Sequence, residues 1–300
     1  MKLFTLRRRI SAAMFVLITG VFALPSAHAD VVGSVFLTGH DPDFHAVAGN
    51  TIGAQHIIQD AIKFIMDPGF NAFVAGGNQH FLFVECQTCG VPGGHIDGVA
   101  GITASLGGFP VGTTFETHGA TTGLAAELAL LGTKYSGIVI GSDFGGLLSQ
   151  AELDLLDADS AGIISFLNSG GGLFAMAETS AADGGLATHG YFGYLPFVVS
   201  SSPFNEAENG NTLTPFGTSL GLVNSDINGN FSHNVFTSTG GLNIVDHDAG
   251  GEILSLAGRG NVTPGGVGTI PEPSSILLLG SIAVCLGASL RKPGLKRARP

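Results

Sequence analysis

The chain has 300 residues and a formal net charge of −11 at pH 7, with the two signs of charge strongly segregated. Residues 30–270 contain 22 of the 23 acidic residues, against three basic ones, Lys63, Lys134 and Arg259. This imbalance excludes a nucleic-acid-binding function, because such binding depends on Lys and Arg that neutralise phosphates. Hydrophobic residues make up 44% of the chain, which excludes intrinsic disorder as its class.

The N-terminus carries three arginines at positions 7–9, followed by the apolar stretch Ile10–Leu24 and by small residues that end at Ala29. A basic, an apolar and a small-residue region in this order predict a secretory signal peptide over residues 1–29. The consecutive arginines leave a twin-arginine route open, but the residues after them favour the general secretory route.

Residues 30–265 alternate short apolar runs with amphipathic segments, a pattern that predicts one α/β domain. Strands are predicted at Val31–Leu37, His80–Cys86, Thr113–Thr117, Tyr135–Ile140, Leu173–Ala177 and Tyr191–Ser200. Helices are predicted at Gly53–Met66, Gly94–Leu106, Leu124–Leu131, Ser149–Leu167 and Thr214–Leu222. A closing β-hairpin is predicted from Leu242–Asp246 and Glu252–Leu256.

The clearest supersecondary unit begins at Ser149. Glu152 follows three residues later, which predicts a capping box at the start of a helix. Three glycines at positions 170–172 then lead the chain into the apolar strand Leu173–Ala177. A strand, a helix and a further strand in this order predict a right-handed crossover between parallel strands.

Several segments of this domain carry a family resemblance: Tyr135–Asp143, the helix from Ser149, Gly170–Glu178 and Ser232–Phe236. Together they resemble the central part and a late histidine segment of class I glutamine amidotransferase-like domains. The resemblance implies a flavodoxin-like, mostly parallel sheet that is flanked by helices.

The same resemblance identifies where a nucleophile would stand. In that family a cysteine occupies the sharp turn after the strand that matches Leu173–Ala177, whereas this chain has Glu178 and Ser180 in that region. The resemblance therefore implies a domain without the nucleophilic cysteine. Ser180 with His233 as its base is a weaker hypothesis, since no G-x-S-x-G motif surrounds the serine. Glu178, Ser180 and His233 are the candidate catalytic residues.

Cys86 and Cys89 form the only C-x-x-C motif of the chain. Such a motif is either a redox centre or a local disulfide. Glycines and a proline follow at once, so the helix that lowers a reactive thiol's pKa is missing. In an oxidising compartment this pattern favours a structural disulfide over a redox role.

Histidines and carboxylates cluster after the first predicted strand, and two similar residues follow later strands. Ligands of doubly wound sheets bind at the carboxyl ends of the strands, where these residues would meet. The same histidines could equally be solvated loop residues. The candidate metal or ligand site consists of His40, Asp41, Asp43, His45, His118 and Asp143.

Asp226, Asn228 and Asn230 alternate in the manner of a calcium loop. The glutamate that closes an EF-hand loop is missing, so an Asn- and Gly-rich turn is the favoured interpretation. We expect no tightly bound cofactor, and Ca²⁺ or another divalent cation is the alternative outside a cell.

The C-terminus carries Pro271-Glu272-Pro273, then the apolar run Ile276–Leu290, then five Lys or Arg residues. This order resembles the PEP-CTERM sorting signal of Gram-negative bacteria. The resemblance implies export, recognition by an exosortase in the inner membrane, and removal of residues 266–300. The run is 15 residues long, whereas a spanning helix needs about 20, so we expect a short stop-transfer segment that lies in the inner membrane transiently. A permanent membrane anchor is the alternative.

These features predict an exported protein of the cell surface or extracellular matrix. We expect its domain to be a non-catalytic binding or structural module, with exopolysaccharide as the partner that the sorting resemblance suggests. The alternative is an extracytoplasmic metal-dependent or hydrolytic enzyme, with its site at the carboxyl-terminal edge of the sheet.

Overall fold

The structure is a computed structural model that describes residues 32–89, 98–143, 147–178, 191–197, 201–207 and 209–267. The predicted signal peptide, residues 268–300 of the predicted sorting signal and Ser180 lie outside these residues. The helices among the described residues include none with the length and hydrophobicity of a membrane-spanning segment.

The described residues form short helices and mostly short strands. The helices are α1 Pro42–His45, α2 Thr51–Ile65, α3 Ala72–Ala75, α4 Gly98–Ser105, α5 Leu124–Leu128, α6 Gln150–Ala158, α7 Ser160–Asn168 and α8 Pro215–Ser219. The strands of the parallel part are β1 Ser34–Thr38, β2 His80–Val84, β3 Thr114–His118, β4 Gly137–Ile140 and β5 Gly172–Ala175. The later strands are β6 Ser201–Ala207, β7 Thr212–Leu213, β8 Phe231–Phe236, β9 Asn243–His247, β10 Ile253–Arg259, β11 Val262–Thr263 and β12 Gly266–Val267.

One ten-stranded sheet organises the domain, in the order β3-β2-β4-β5-β1-β10-β8-β6, with β9 paired to β10 and β7 paired to β9. Strands β1 to β5 are mutually parallel, and the remaining strands pair antiparallel. The predicted α/β class, with a parallel central sheet flanked by helices, is confirmed. The order β3-β2-β4-β5 follows the 2-1-3-4 of flavodoxin-like sheets, and the N-terminal strand β1 takes the next place.

Alternating side chains of the parallel strands pack into a core on each face of the sheet. On one face Val35 and Leu37 of β1 pack in the cluster that includes Leu153 of α6 and Ile163 of α7. On the other face Phe36 packs in a cluster with the apolar side of α2. Burial on both faces explains why these strands read as continuous apolar runs.

The C-terminal hairpin prediction is confirmed, because β9 and β10 pair antiparallel. The antiparallel part of the sheet is larger than predicted, since β6, β7 and β8 extend it. The predicted strand Tyr191–Ser200 is wrong for its described residues, which form turns. Phe192 has a φ of 60°, which extended pairing does not tolerate, and the apolar residues of this segment fill the core instead.

The helix predicted over Ser149–Leu167 starts at the predicted capping box, where the Ser149 backbone N–H donates to Glu152 at 3.1 Å. It is two helices, however, because the chain leaves helical geometry at Asp159, with φ −96° and ψ 15°. Asp and Ser favour helix ends, since their side chains compete for backbone hydrogen bonds.

Candidate functional site

A cluster of buried acidic and imidazole side chains lies where β1 ends and the antiparallel strands approach it. The chain turns there because Pro42 occupies the first turn of α1, which places Asp41 at the helix N-cap. Gly39 lets β8 approach closely, since a Cβ atom at this position would lie 1.9 Å from the Asn234 carbonyl oxygen. The His233 backbone N–H donates to the Gly39 carbonyl at 2.7 Å, so β8 brings His233 to the end of β1.

Asp41 stands between two imidazoles. Its Oδ1 lies 3.3 Å from Nε2 of His45, and its Oδ2 lies 3.2 Å from Nε2 of His233. The other ring nitrogen of His45, Nδ1, lies 3.0 Å from the Ala48 carbonyl, to which it donates. Asp41 is only 1% exposed. We call Asp41, His45 and His233 the Asp41 cluster.

Electrostatics within the Asp41 cluster favour the charged forms of Asp41 and His45. Burial alone would raise the pKa of Asp41, but hydrogen bonds and charges from His233 and His45 outweigh burial and lower the pKa to about 2. Burial would lower the pKa of His45, yet the hydrogen bond and charge of Asp41 raise it above its ordinary value. Both shifts favour a buried ion pair between the Asp41 carboxylate and the His45 imidazolium.

A second imidazole–carboxylate pair lies beside it. Nε2 of His40 is 2.9 Å from Oδ2 of Asp246, and both residues are buried. His40 follows β1 and Asp246 lies in β9, so this pair joins the parallel and antiparallel parts of the sheet. The cavity next to these residues has a volume of about 10 Å³ and is lined by His40, Asp41 and His45. That volume holds about one water molecule.

Asp43 fixes α1 against the loop that follows β4. Its carboxylate accepts hydrogen bonds from the Ser142 backbone N–H at 2.8 Å and from the Ser142 hydroxyl at 2.7 Å. Burial raises the pKa of Asp43 to about 6, although the Ser142 hydrogen bonds oppose the change. Asp43 thus connects α1 to the loop after β4 through hydrogen bonds to Ser142. It is not one of the residues of the Asp41 cluster.

Glu178 lies in the turn after β5 and is completely buried. Its Oε1 accepts a hydrogen bond from the Tyr194 hydroxyl at 2.6 Å, and its Oε2 accepts one from the Phe192 backbone N–H. Its own backbone N–H donates to Oδ1 of Asn234 at 2.8 Å. Burial raises the pKa of Glu178 to about 8. A neutral, buried carboxyl group at this turn anchors the segment that contains Phe192 and Tyr194.

The contacts of two other predicted site residues are made outside the Asp41 cluster. The Asp143 backbone N–H donates to the Ala177 carbonyl at 2.7 Å, and the charge of Asp143 contributes to the raised pKa of Glu178. His118 lies at the end of β3, where its Nδ1 donates to the Thr122 carbonyl at 2.9 Å. Of the six predicted residues, Asp41 and His45 therefore pair directly, whereas the contacts described for the other four are with residues outside the predicted set.

His118 belongs to a surface cluster with Glu116 and Glu127. Among the described residues, these three place potential metal ligand atoms within 4.8 Å of one another. Nζ of Lys134 already lies 2.6 Å from Glu116 and 2.9 Å from Glu127. Its hydrogen bond is the main reason that the pKa of Glu116 is lowered to about 2. Lys134 therefore supplies the cation that these carboxylates require.

The loop that resembled a calcium site is held by side-chain amides. Asn228 accepts hydrogen bonds from the backbone N–H groups of Gly210 and Asn211, at 2.8 and 2.9 Å. Asp226 lies 3.0 Å from His56 and accepts from the Val223 backbone N–H at 2.9 Å. These oxygens serve the turn itself, which matches the interpretation that the sequence favoured.

Cys86 and Cys89 form a disulfide, with their Cα atoms 5.5 Å apart. Cys86 is buried directly after β2, and its backbone N–H donates to the Leu147 carbonyl at 2.9 Å. The bridge closes a turn at the carboxyl end of the sheet.

Several residues of these networks were not predicted: Asp246, Ser142, Tyr194 and Asn234. A local signal existed for Asp246, because an acidic residue in an otherwise apolar strand needs a buried partner. The others are ordinary in sequence and gain their roles from contacts between distant segments. No protein-family model, curated protein or solved structure matches this chain.

Proposed function

We propose that this protein is exported across the inner membrane of a Gram-negative bacterium and is sorted to the cell surface or extracellular matrix by an exosortase. The order of Pro271-Glu272-Pro273, apolar run and basic end carries this proposal. The short apolar run suits a transient membrane segment better than a permanent span. The segregated charge agrees with export, because basic flanks resist translocation while the acidic domain does not.

The α/β domain acts, in this proposal, as a non-catalytic binding or structural module with exopolysaccharide as its partner. Glu178 supports this view, because the turn that bears a cysteine in amidotransferase-like domains here bears a buried carboxyl group. Tyr194 and Phe192 engage both of its oxygens. A completely buried carboxyl group whose two oxygens both accept hydrogen bonds is inaccessible to substrate and is a poor nucleophile.

Fractionation of the native host tests the sorting. We expect the wild-type protein in the envelope or the medium, and a Glu272→Ala variant retained at the inner membrane with its tail. A Glu252→Ala variant, which alters an exposed acidic residue of the domain, serves as the control. Unchanged processing of Glu272→Ala would contradict the role of the motif.

A glutaminase assay tests the catalytic silence of the domain. We expect no more release of glutamate from glutamine by the wild-type protein than by a Glu178→Gln variant. Release that the variant abolishes would contradict the proposal.

The Asp41 cluster favours a second candidate, an extracytoplasmic metal-dependent or hydrolytic enzyme. A buried carboxylate between two imidazoles is a set of groups that can bind a divalent cation or move a proton. Metal analysis of the purified protein decides between the candidates. Stoichiometric zinc or calcium that is lost in the Asp41→Asn or His40→Ala variant would favour the enzyme. Purified protein without bound metal would contradict a metal-dependent enzyme.

A further inference from the structure

A groove of about 560 Å³ lies between the C-terminal end of α2 and helix α8. Such a volume is typical of sites for small molecules or for segments of larger ligands. Asp60, Lys63 and Phe64 line it from one side of α2, and Asp67 lies just beyond the helix. Arg259, at the end of β10, completes this side. We call it the α2–α8 groove.

The α2–α8 groove contains two of the few basic side chains of this acidic domain, and each of them is paired with a carboxylate. Lys63 and Arg259 are two of only three basic residues between positions 30 and 270. Nζ of Lys63 lies 2.7 Å from Oδ1 of Asp60, and Nη2 of Arg259 lies 2.9 Å from Oδ2 of Asp67. The groove therefore offers hydrogen-bond donors and acceptors side by side without a net charge.

The Arg259 guanidinium of the groove is fixed in position before any ligand arrives. The Arg259 guanidinium lies over the rings of Phe64 and Phe70, at 4.2 and 3.7 Å from their centroids. Its Nη2 also donates to the Phe64 carbonyl at 3.1 Å. A guanidinium held by stacking and hydrogen bonds has little freedom left to lose on binding.

The opposite wall is partly apolar. Phe216 and Leu220 are half-buried and line the groove from α8, together with the exposed Ser219. A phenylalanine ring can pack against the C–H face of a sugar. The hydroxyl groups of a sugar both donate and accept hydrogen bonds, so they can bond to an ammonium group and to its paired carboxylate. The acidic domain repels polyanions at long range, whereas an uncharged ligand meets no such barrier.

We propose that the α2–α8 groove binds a neutral oligosaccharide segment. The inference rests on the proposed function, in which the exported domain meets exopolysaccharide, and it adds the site and the charge class of the ligand. The sugar lies with its apolar face on Phe216, and its hydroxyls bond to the Lys63–Asp60 and Arg259–Asp67 pairs.

Calorimetric titration of the protein purified from its exporting host tests the proposal. The probes are linear hexasaccharides of glucose, galactose and mannose, with hexagalacturonate as their anionic counterpart. We expect at least one neutral probe to bind, and the uronate to bind at least about ten-fold more weakly because of charge repulsion. Stronger binding of the uronate, or no binding of any probe at millimolar concentration, would overturn the proposal.

Matched variants locate the binding. We expect Phe216→Ala and Lys63→Met each to lower the affinity for the neutral probe by about ten-fold, because the loss of one aromatic or polar contact has that magnitude. Phe109→Ala, another half-buried phenylalanine, and Lys134→Met, the domain's other lysine, leave the affinity within about two-fold. Equal losses in all four variants would place the ligand elsewhere and overturn the assignment. Correct tail processing in a protein that binds no probe would refute the groove and leave the sorting proposal standing.

Discussion

The carboxylate of Asp41 lies 3.2 Å from the imidazole of His233, although one residue follows the first strand and the other belongs to a late antiparallel strand. Both side chains are buried. With His45 on its other oxygen, Asp41 brings side chains of α1 and β8 together. The cluster therefore connects the parallel and antiparallel parts of one sheet.

Asp41→Asn removes the charge of this buried pair and leaves two imidazoles facing an amide. We expect the free energy of unfolding to fall by about 3 kcal/mol, because breaking a buried ion pair leaves its partner uncompensated. Urea unfolding at pH 6 measures the effect. Asp154→Asn, at an exposed position of α6, should change stability by less than about 0.5 kcal/mol. Equally small changes in the free energy of unfolding of both variants would show that the Asp41 cluster does not stabilise the folded state.

The same cluster makes stability depend on pH in two windows. The lowered pKa of Asp41 gives stability that is present above its unfolded value of 3.8 and is lost as the pH falls toward about 2. The raised pKa of His45 gives stability that is full below 6.5 and is lost as the pH rises through the folded value. In Asp41→Asn both contributions should be reduced, which unfolding measured from pH 2 to 9 will show.

The pKa shift of Glu178 has the opposite sign to that of Asp41, because burial raises the pKa of Glu178 from 4.5 to about 8. The stability that Glu178 contributes to the folded state is fully present below pH 4.5. It is lost progressively as the pH rises to about 8, where the buried carboxyl group must ionise. We expect Glu178→Gln to be more stable than the wild type at pH 8.5, by a few kcal/mol at most, and no more stable at pH 4. Glu252→Gln, at an exposed position, should show no such crossover. Parallel pH profiles for the wild type and Glu178→Gln would refute the buried neutral carboxyl.

Gly39 permits the close approach of β8 that builds the Asp41 cluster. A Gly39→Ala side chain would lie 1.9 Å from the Asn234 carbonyl oxygen, so β1 or β8 must shift. We expect a loss of at least about 2 kcal/mol in the free energy of unfolding, as is usual for overpacking. Gly107→Ala is the control, since no atom lies within 4 Å of its added Cβ atom. A neutral Gly39→Ala variant would contradict the described contact between β1 and β8.

The Cys86–Cys89 disulfide closes a very short loop, so its removal should have a moderate effect. The chain-entropy relation gives about 2 kcal/mol for a loop of this size. Thermal unfolding with and without a reductant measures it, and a Cys86→Ser/Cys89→Ser variant should be insensitive to the reductant. A reductant effect that persists in this variant would have another origin.

Local patterns in the sequence predicted the elements that depend on local physics. Strands such as Tyr135–Ile140 were recognisable because a strand buried on both faces is continuously apolar. The helix start at Ser149 was recognisable because capping is local. The strand predicted at Tyr191–Ser200 was wrong in its described part, since apolar residues in a core-packed turn have the composition of a strand.

The site was predictable only where its residues are neighbours in sequence. The spacing of Asp41 and His45 placed them near one another, and they do pair. The partners His233 and Asp246 reach the end of β1 through strand pairings that no local pattern encodes. His118 and Asp143 end their strands at the same edge as predicted, but the strand order β3-β2-β4-β5-β1 separates them from β1.

Export with removal of both termini can be read from the mass of the intact protein isolated from the envelope of its native host. We expect a chain that begins at Asp30 and lacks the apolar run Ile276–Leu290. A polypeptide in the cytosol that still carries both Met1 and Pro300 would contradict it.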